Sequence, residues 1–430
     1  MAEAEAESER EVDVLVKRVV KDIANAFKRN PNIDEIGVIS CPEARCNRSP
    51  IVLVQNKLGV ESWCVKFLLP YVQGKLLLHR RRRHWLDREA LVDITSTALL
   101  LNPDFTTAWN IRKELLQCGV VNPEEELYLG KLALTRFPKS PETWIHRRWV
   151  LQQILRQLGR SRKLQLQHND GEQADEGRSQ QLRDRLARTL HQEMKVCCDA
   201  AGRYPSNYNA WSHRIWVLQH MGSSKVFHDE LSSMRLWVSL HVSDHSGFHY
   251  RQFLLKELIS ELSQTPASPP SPRRSSVSRP QPGGEDGQLG PPTALQLVLL
   301  EMELCSDLIQ SFPGHETLWS HRRRVFYLWC QWRRRHQQHC SSNGGGEEAA
   351  AQRGGLNGHA GDAMDVDGAS LPDARDSKRL KRGVLLPEPP DRSSEDSFVS
   401  RTLDTCRDPE QRRFALAYKK WLDTVLGQQP

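Results

Sequence analysis

The sequence predicts an all-α fold, an α-α superhelix built as a solenoid of helical hairpins, and three observations predict it. A short phrase recurs five times, reading DFTTAWNIRK, KSPETWIHRRW, PSNYNAWSHRIW, DHSGFHYRQF and HETLWSHRRR: a turn, an aromatic anchor, one residue, histidine or a substitute, and arginine. The anchors Trp109, Trp144, Trp211, Phe248 and Trp319 stand 35, 67, 37 and 71 residues apart. The two long gaps contain polar tracts, and excising them brings these gaps toward the short ones. A period of that length is a unit of two helices that buries its apolar face by stacking on its neighbours. The third observation is punctuation: Pro123, Pro138, Pro141, Pro205 and Pro313 fall between helical patterns, where proline cannot continue a helix interior.

The N-terminal region, residues 1–84, opens with apolar residues at helical spacing over 14–27, stopped by Arg29-Asn30-Pro31. Two β-leaning runs at 35–40 and 51–55 are expected to pair as a small hairpin. Helical pattern resumes near Val60 and ends in a basic run, residues 79–84, that reads as a solvated helix junction. Five hairpins then occupy residues 85–337. Their helix pairs are 87–101 with one capped by Thr106 or Thr107, 124–136 with 143–158, and 186–203 with 210–221. The last two are 229–241 with 248–262, and 293–311 with 318–337. Insertions at about 159–185 and 263–292 and the stretch 338–397 are polar, Gly- and Pro-containing, and are expected to be disordered, because such segments bury too little apolar surface to offset their ordering entropy. The C-terminal region 398–430 carries Phe414, Tyr418, Trp421 and Val425 on one helical face, predicting a helix that returns to cap the open end of the solenoid.

Composition narrows the function classes. No run of about 18 apolar residues appears, so no membrane span is expected. The N-terminus is acidic and unlike a signal peptide, and VLGQQP lacks a prenylation box. Ten scattered cysteines read as reduced thiols in a cytoplasmic protein. The cluster Lys378 to Arg382 adds a possible nuclear fraction. A net charge of +7 with acids and bases interleaved argues against a nucleic-acid partner and against an RNA-processing repeat. No phosphate-binding Gly loop, GxSxG elbow or HExxH is present, and Cys41 and Cys46 lack the second pair of a zinc site. The chain therefore carries no self-contained active site and no metal ligands.

The repeated phrase has a structural logic. Each Trp, or Phe248 in the fourth copy, opens the second helix of its hairpin and adheres to the neighbouring unit. The arginine three positions on (Arg112, Arg147, Arg214, Arg251, Arg322) shares its face and reaches toward carboxylates or helix-end carbonyls. His146, His213 and His321 recur at one register, which marks a packing slot.

WIHRRW, AWSHRIWVL and LWSHRRR resemble the repeat of the protein prenyltransferase alpha subunit family. The resemblance covers residues 85–337 outside the insertions. It implies a crescent of hairpins that pairs with a beta subunit holding the catalytic zinc, so that no cofactor is bound by this chain. It further implies transfer of farnesyl or geranylgeranyl from an isoprenoid diphosphate to cysteine-terminated protein substrates. Geranylgeranyl transfer and a beta subunit shared with the Rab enzyme are the expected variant. By resemblance, Lys139, five residues before Trp144, meets the diphosphate, and Tyr208 and Asn209 bind substrate. Pro141 replaces a family tyrosine, Asn209 a histidine and Phe248 a tryptophan. These departures leave open a non-enzymatic α-solenoid scaffold for protein–protein interaction.

Overall fold

Apolar residues at helical spacing begin the fold, as Val16, Val19, Val20, Ile23 and Ala26 turn inward along α1 (Ala2–Arg29). The computed structural model describes residues 2–41, 49–82, 86–167, 172–222, 224–262, 293–343 and 388–426. Three strands follow α1: β1 (Glu35–Ile39), β2 (Ile51–Val54) and β3 (Lys57–Glu61). Their order is β1-β3-β2, with β1 parallel and β2 antiparallel to β3. The short hairpin is therefore β2–β3, not the pairing of 35–40 with 51–55 read from the sequence. Its turn uses Gln55 in the left-handed region at φ 53°, without the glycine that usually announces such a turn. Ile39 folds over Gly59, where a Cβ would come within 2.5 Å of Ile39 Cδ1, so β1 and β3 pack through that glycine.

Met1–Leu254 and Leu255–Pro430 form two units. In the first, α2 (Ser62–Arg81) leads into hairpins α3 (Arg88–Leu101) with α4 (Thr106–Gln117), α5 (Pro123–Arg136) with α6 (Pro141–Gln167), and α7 (Glu172–Arg203) with α8 (Tyr208–Met221). α9 (Ser224–Leu240) then precedes α10 (His245–Leu262), whose first part belongs to this unit. The hairpins stack as an α-α superhelix around an apolar cluster that runs from Val16 through Leu68 and Leu76 to Trp109 and Leu132. Starts and stops follow local chemistry. Asp87 accepts from the Ala90 amide at 2.7 Å, and Asn122 forms a capping box with Glu125 around Pro123, whose missing N–H costs nothing in the first turn. The sheet packs on α5: Tyr128 donates to the Ile33 carbonyl at 2.6 Å, and the Ile36 amide to Thr135 Oγ1 at 3.2 Å.

The second unit holds α11 (Ala294–Ser311) with α12 (Glu316–Asn343), then α13 (Arg392–Thr405) with α14 (Pro409–Trp421), ending in a π-helical turn, Leu422–Leu426. Four helices, α6, α7, α12 and α13, overrun the tracts expected to be unstructured. α6 continues to Gln167 and α7 begins at Glu172, so the insertion expected at 159–185 is helical on both sides of 168–171. α13 starts inside the stretch 338–397 because Asp391 caps it by accepting from the Ser394 amide, and Phe398, Val399 and Thr402 give it a buried face. The insertion 263–292, the cluster Lys378 to Arg382, Cys46 and Trp85 lie outside the described residues. Among the described residues no helix is long and apolar enough to cross a membrane.

Candidate functional site

The repeated phrase builds a ladder of buried charge. In the first unit Arg112 donates through Nε and Nη2 to both oxygens of Glu126, at 2.6 to 3.0 Å, and His146 Nε2 stands 2.9 Å from the same carboxylate. Arg147 grips Glu193, which also meets His213 Nε2 at 3.1 Å. Arg214 pairs with Glu230, which accepts from the Tyr250 hydroxyl at 2.9 Å. Each glutamate thus comes from the first helix of a hairpin and faces the His or Tyr slot 20 residues later in its own second helix. The arginine comes from the preceding hairpin. Its remaining donor closes the rung on a carbonyl 20 residues upstream: Arg147 on Leu127, Arg214 on Met194 and Arg251 on Leu231.

The rings are threaded the same way. Trp109 stacks on His146 with centroids 4.3 Å apart, Trp144 lies 5.1 Å from His213 and Trp211 5.2 Å from Tyr250. Trp109 donates to the Pro103 carbonyl at 2.7 Å and Trp144 to Pro138 at 3.0 Å, whereas the buried Trp211 Nε1 has no partner among the described residues. Phe248 is buried beside this row. Burial alone would raise the Glu126 and Glu193 carboxyls, but their arginine and histidine neighbours win, lowering Glu126 and taking Glu193 to about 2. Burial lowers His146 and His213 against the pull of their glutamates, and the Nδ1 atom of each is buried without a partner. Both imidazoles are therefore neutral Nε2–H donors, and each rung holds one ion pair instead of a metal-type donor set.

The second unit repeats the arrangement. His321 Nε2 is 2.7 Å from Glu301, and Arg322 donates to both oxygens of Glu395 on α13 at 2.7 Å and to the Met302 carbonyl at 3.3 Å. Tyr418 fills the histidine slot: its hydroxyl donates to Glu395 at 2.7 Å and its ring lies 5.6 Å from Trp319. α13 and α14 are thus a sixth hairpin, and the expected C-terminal capping helix is its second half. The ladder stops cleanly at both ends. In the first hairpin the slots hold buried Leu91 and Ile111, since no arginine precedes them to balance a carboxylate. In the last, the Trp and Arg slots hold exposed Leu416 and Lys419.

The residues to which the resemblance gives a chemical role lie on the α5–α6 turn and at the start of α8. The α5–α6 turn carries Lys139, exposed, its ammonium 3.9 Å from the centroid of the Tyr204 ring. Neighbouring turns are stitched together: Ser140 donates to Asp104 at 2.6 Å, Asn207 to the Pro138 carbonyl at 2.8 Å, Asn209 to the Lys139 carbonyl at 2.9 Å, and the Ser206 amide to Asp244 at 2.8 Å. Lys139 and Asn209 are therefore brought together, with Asn209 holding the backbone that presents the lysine. Tyr208 is 66 % exposed beside them. Pro141 sits at the first position of α6, after Ser140, whose hydroxyl accepts from the Thr143 amide at 3.3 Å. A groove of about 440 Å³ adjoins this edge, lined by Lys113, Trp144, Arg148, Trp149 and Asn209 among others. Asn207 and the glutamates of the ladder were not singled out in the sequence. The constant 20-residue spacing from Glu126, Glu193, Glu230 and Glu301 to the His or Tyr slots is the signal that finds the latter.

Four segments, 123–154, 190–221, 227–258 and 299–329, match the protein prenyltransferase alpha subunit repeat. They correspond to α5–α6, α7–α8, α9–α10 and α11–α12; the first and sixth hairpins fall outside the matches. The chain is 61 % identical to protein prenyltransferase alpha subunit repeat-containing protein 1 of Danio rerio over 98 % of its length and 100 % of that relative. Identity to the protein of the same name in Homo sapiens is 52 %, over 98 % of this chain and 99 % of that one. It is also 27 % identical to geranylgeranyl transferase type-2 subunit alpha of Rattus norvegicus, over 57 % of this chain and 35 % of that protein. The chain belongs to the family of protein prenyltransferase alpha subunit repeat-containing proteins.

Proposed function

We propose that the chain is the alpha subunit of a heterodimeric cytoplasmic protein prenyltransferase, transferring geranylgeranyl from its diphosphate to a C-terminal cysteine of protein substrates. The observation that carries the reading is Lys139: its ammonium closes no ion pair among the described residues and is displayed from a turn whose carbonyls are held by Trp144, Asn207 and Asn209. The catalytic zinc, on the beta subunit, would hold the acceptor sulfur as a thiolate. As that thiolate bonds to the isoprenoid C1 and the C1–O bond breaks, negative charge grows on the departing diphosphate. Lys139 stabilises that charge, and the Tyr208 hydroxyl is free to donate to it. The likeness to a geranylgeranyl transferase type-2 alpha subunit supports geranylgeranyl as the group and the Rab-type beta chain as partner.

Purification of the tagged chain from cells tests the assembly: a prenyltransferase beta chain should co-purify, and none recovered would sink the reading. A scaffold without transferase activity is the second reading, favoured by Pro141 in place of tyrosine. A reconstituted pair that moves no labelled isoprenoid to any cysteine-terminated acceptor would select it.

A further inference from the structure

A recess of about 480 Å³ opens in the first unit between α1, α3 and α5, away from the Lys139 turn. Its walls are apolar: Ile23 and Phe27 from α1, Val92 from α3, Val121 from the α4–α5 loop, and Leu129 and Leu132 from α5. That size and lining are those of a small-ligand site. The polar groups around it are mostly engaged. Arg112 has its donors on Glu126, Thr95 and Ser96, Lys28 turns to Glu89 at 3.4 Å, Glu125 accepts from the Asn122 amide at 3.0 Å, and Tyr128 donates to Ile33. Asp93 is the exception. It lines the recess, is partly buried, and makes no hydrogen bond or ion pair among the described residues. Asp87 and Glu89 lie within electrostatic reach on the same side, so acid outweighs the Lys21 and Lys28 charges once Lys28 is paired.

We propose that this recess binds a small amine, its hydrocarbon body against Ile23, Phe27, Val92 and Leu132 and its ammonium on the Asp93 carboxylate. An apolar slot with one unpaired carboxylate at its edge favours a cation whose stem removes the slot from water; an anion would meet Asp93 unfavourably. Burial also raises the Asp93 carboxyl, and a bound ammonium would reverse that shift.

The test is titration of the full chain with n-octylamine, n-octanol and n-octanoate, followed by calorimetry and by thermal melting. Octylamine should bind saturably at one site and raise the melting temperature, octanol about tenfold more weakly or less, and octanoate not at all. Asp93→Asn should erase the preference for amine over alcohol, and Ala24→Phe, which fills the recess from α1, should abolish saturable binding of both. Octylamine binding that survives Ala24→Phe, a preference unchanged in Asp93→Asn, or no saturable binding to the natural chain would each overturn the proposal. Circular dichroism of both variants, matched to the natural chain, separates these outcomes from misfolding. Should Ala24→Phe misfold, Asp93→Asn alone decides, through the amine-to-alcohol ratio.

Discussion

Tyr418 donates to Glu395 at 2.7 Å, and on the other side Arg322 holds the same carboxylate in a two-toothed grip at 2.7 Å. The relation repeats that of His146 and Arg112 to Glu126, so α13 and α14 bear on the rest of the second unit as one repeat does on the next. Glu395 is 2 % exposed, and removing it would leave the Arg322 charge buried without a counterion.

Glu395→Ala should therefore destabilise the protein by about 3–5 kcal/mol, and Tyr418→Phe, which removes one bond to a charged group, by about 1.5–3 kcal/mol. Hydrogen exchange should show the loss concentrated in residues 388–426, with α5 to α8 still protected. Uniform loss of protection, or none, would contradict the sixth-hairpin assignment.

Acidification should unfold the first unit in a defined order. His146 and His213 have folded pKa values held below their ordinary 6.5 by burial, so below that pH the unfolded chain binds protons that the folded one refuses. Stability from these groups is complete above pH 6.5 and falls beneath it, by up to about 1.4 kcal/mol per pH unit for each histidine. Glu193, lowered to about 2, extends the loss from the ordinary carboxylate range down toward that value. Denaturant titrations between pH 7.5 and 4.5 should show this slope, and His146→Gln with His213→Gln should flatten its upper part. An unchanged slope in the double variant would mean that the imidazoles are charged in the fold.

The tryptophans separate by their hydrogen bonds. Trp144→Ala and Trp211→Ala should each cost about 3–5 kcal/mol, as for other buried aromatics. Substitution by phenylalanine splits them. Trp144 gives up a bond to Pro138, whereas Trp211 carries a buried N–H with no partner among the described residues. Trp144→Phe should thus be worse than Trp211→Phe by about 1–2 kcal/mol, read from urea midpoints. Equal midpoints would count against that difference.

How much of this was legible follows from what each feature asks of the sequence. The five hairpins announce themselves because the aromatic anchor and the arginine three positions on share one helical face, and that face repeats at fixed spacing. The sixth was hidden because a terminal repeat has no neighbour beyond it, which frees Leu416 and Lys419 from the Trp and Arg identities by which the others were found. The end of β3, from Val60, has the pattern of a helix start: its turn has Gln55-Asn56 without glycine, and Val60 and Trp63 also suit the helix that follows. The stitching of the Lys139 turn depends on Asn207 and Asn209 reaching a turn about 70 residues earlier, a contact that only stacking creates.

That stitching gives the sharpest test of the proposed chemistry. Lys139 is exposed and, among the described residues, its ammonium rests on the exposed Tyr204 ring, so Lys139→Ala should leave the melting temperature and the recovery of a beta chain unchanged. If its ammonium faces the departing diphosphate, single-turnover transfer of geranylgeranyl by the reconstituted pair should slow about 10²–10³-fold, the scale for losing one preorganised charge donor. Lys139→Arg should recover part of that rate. Asn209→Ala keeps the ammonium but frees the carbonyl beside it, so its rate should fall between the natural chain and Lys139→Ala. A stable, beta-bound Lys139→Ala pair that transfers at the natural rate would make Lys139 an ordinary turn lysine, and the case for this edge as half of an active site would go with it.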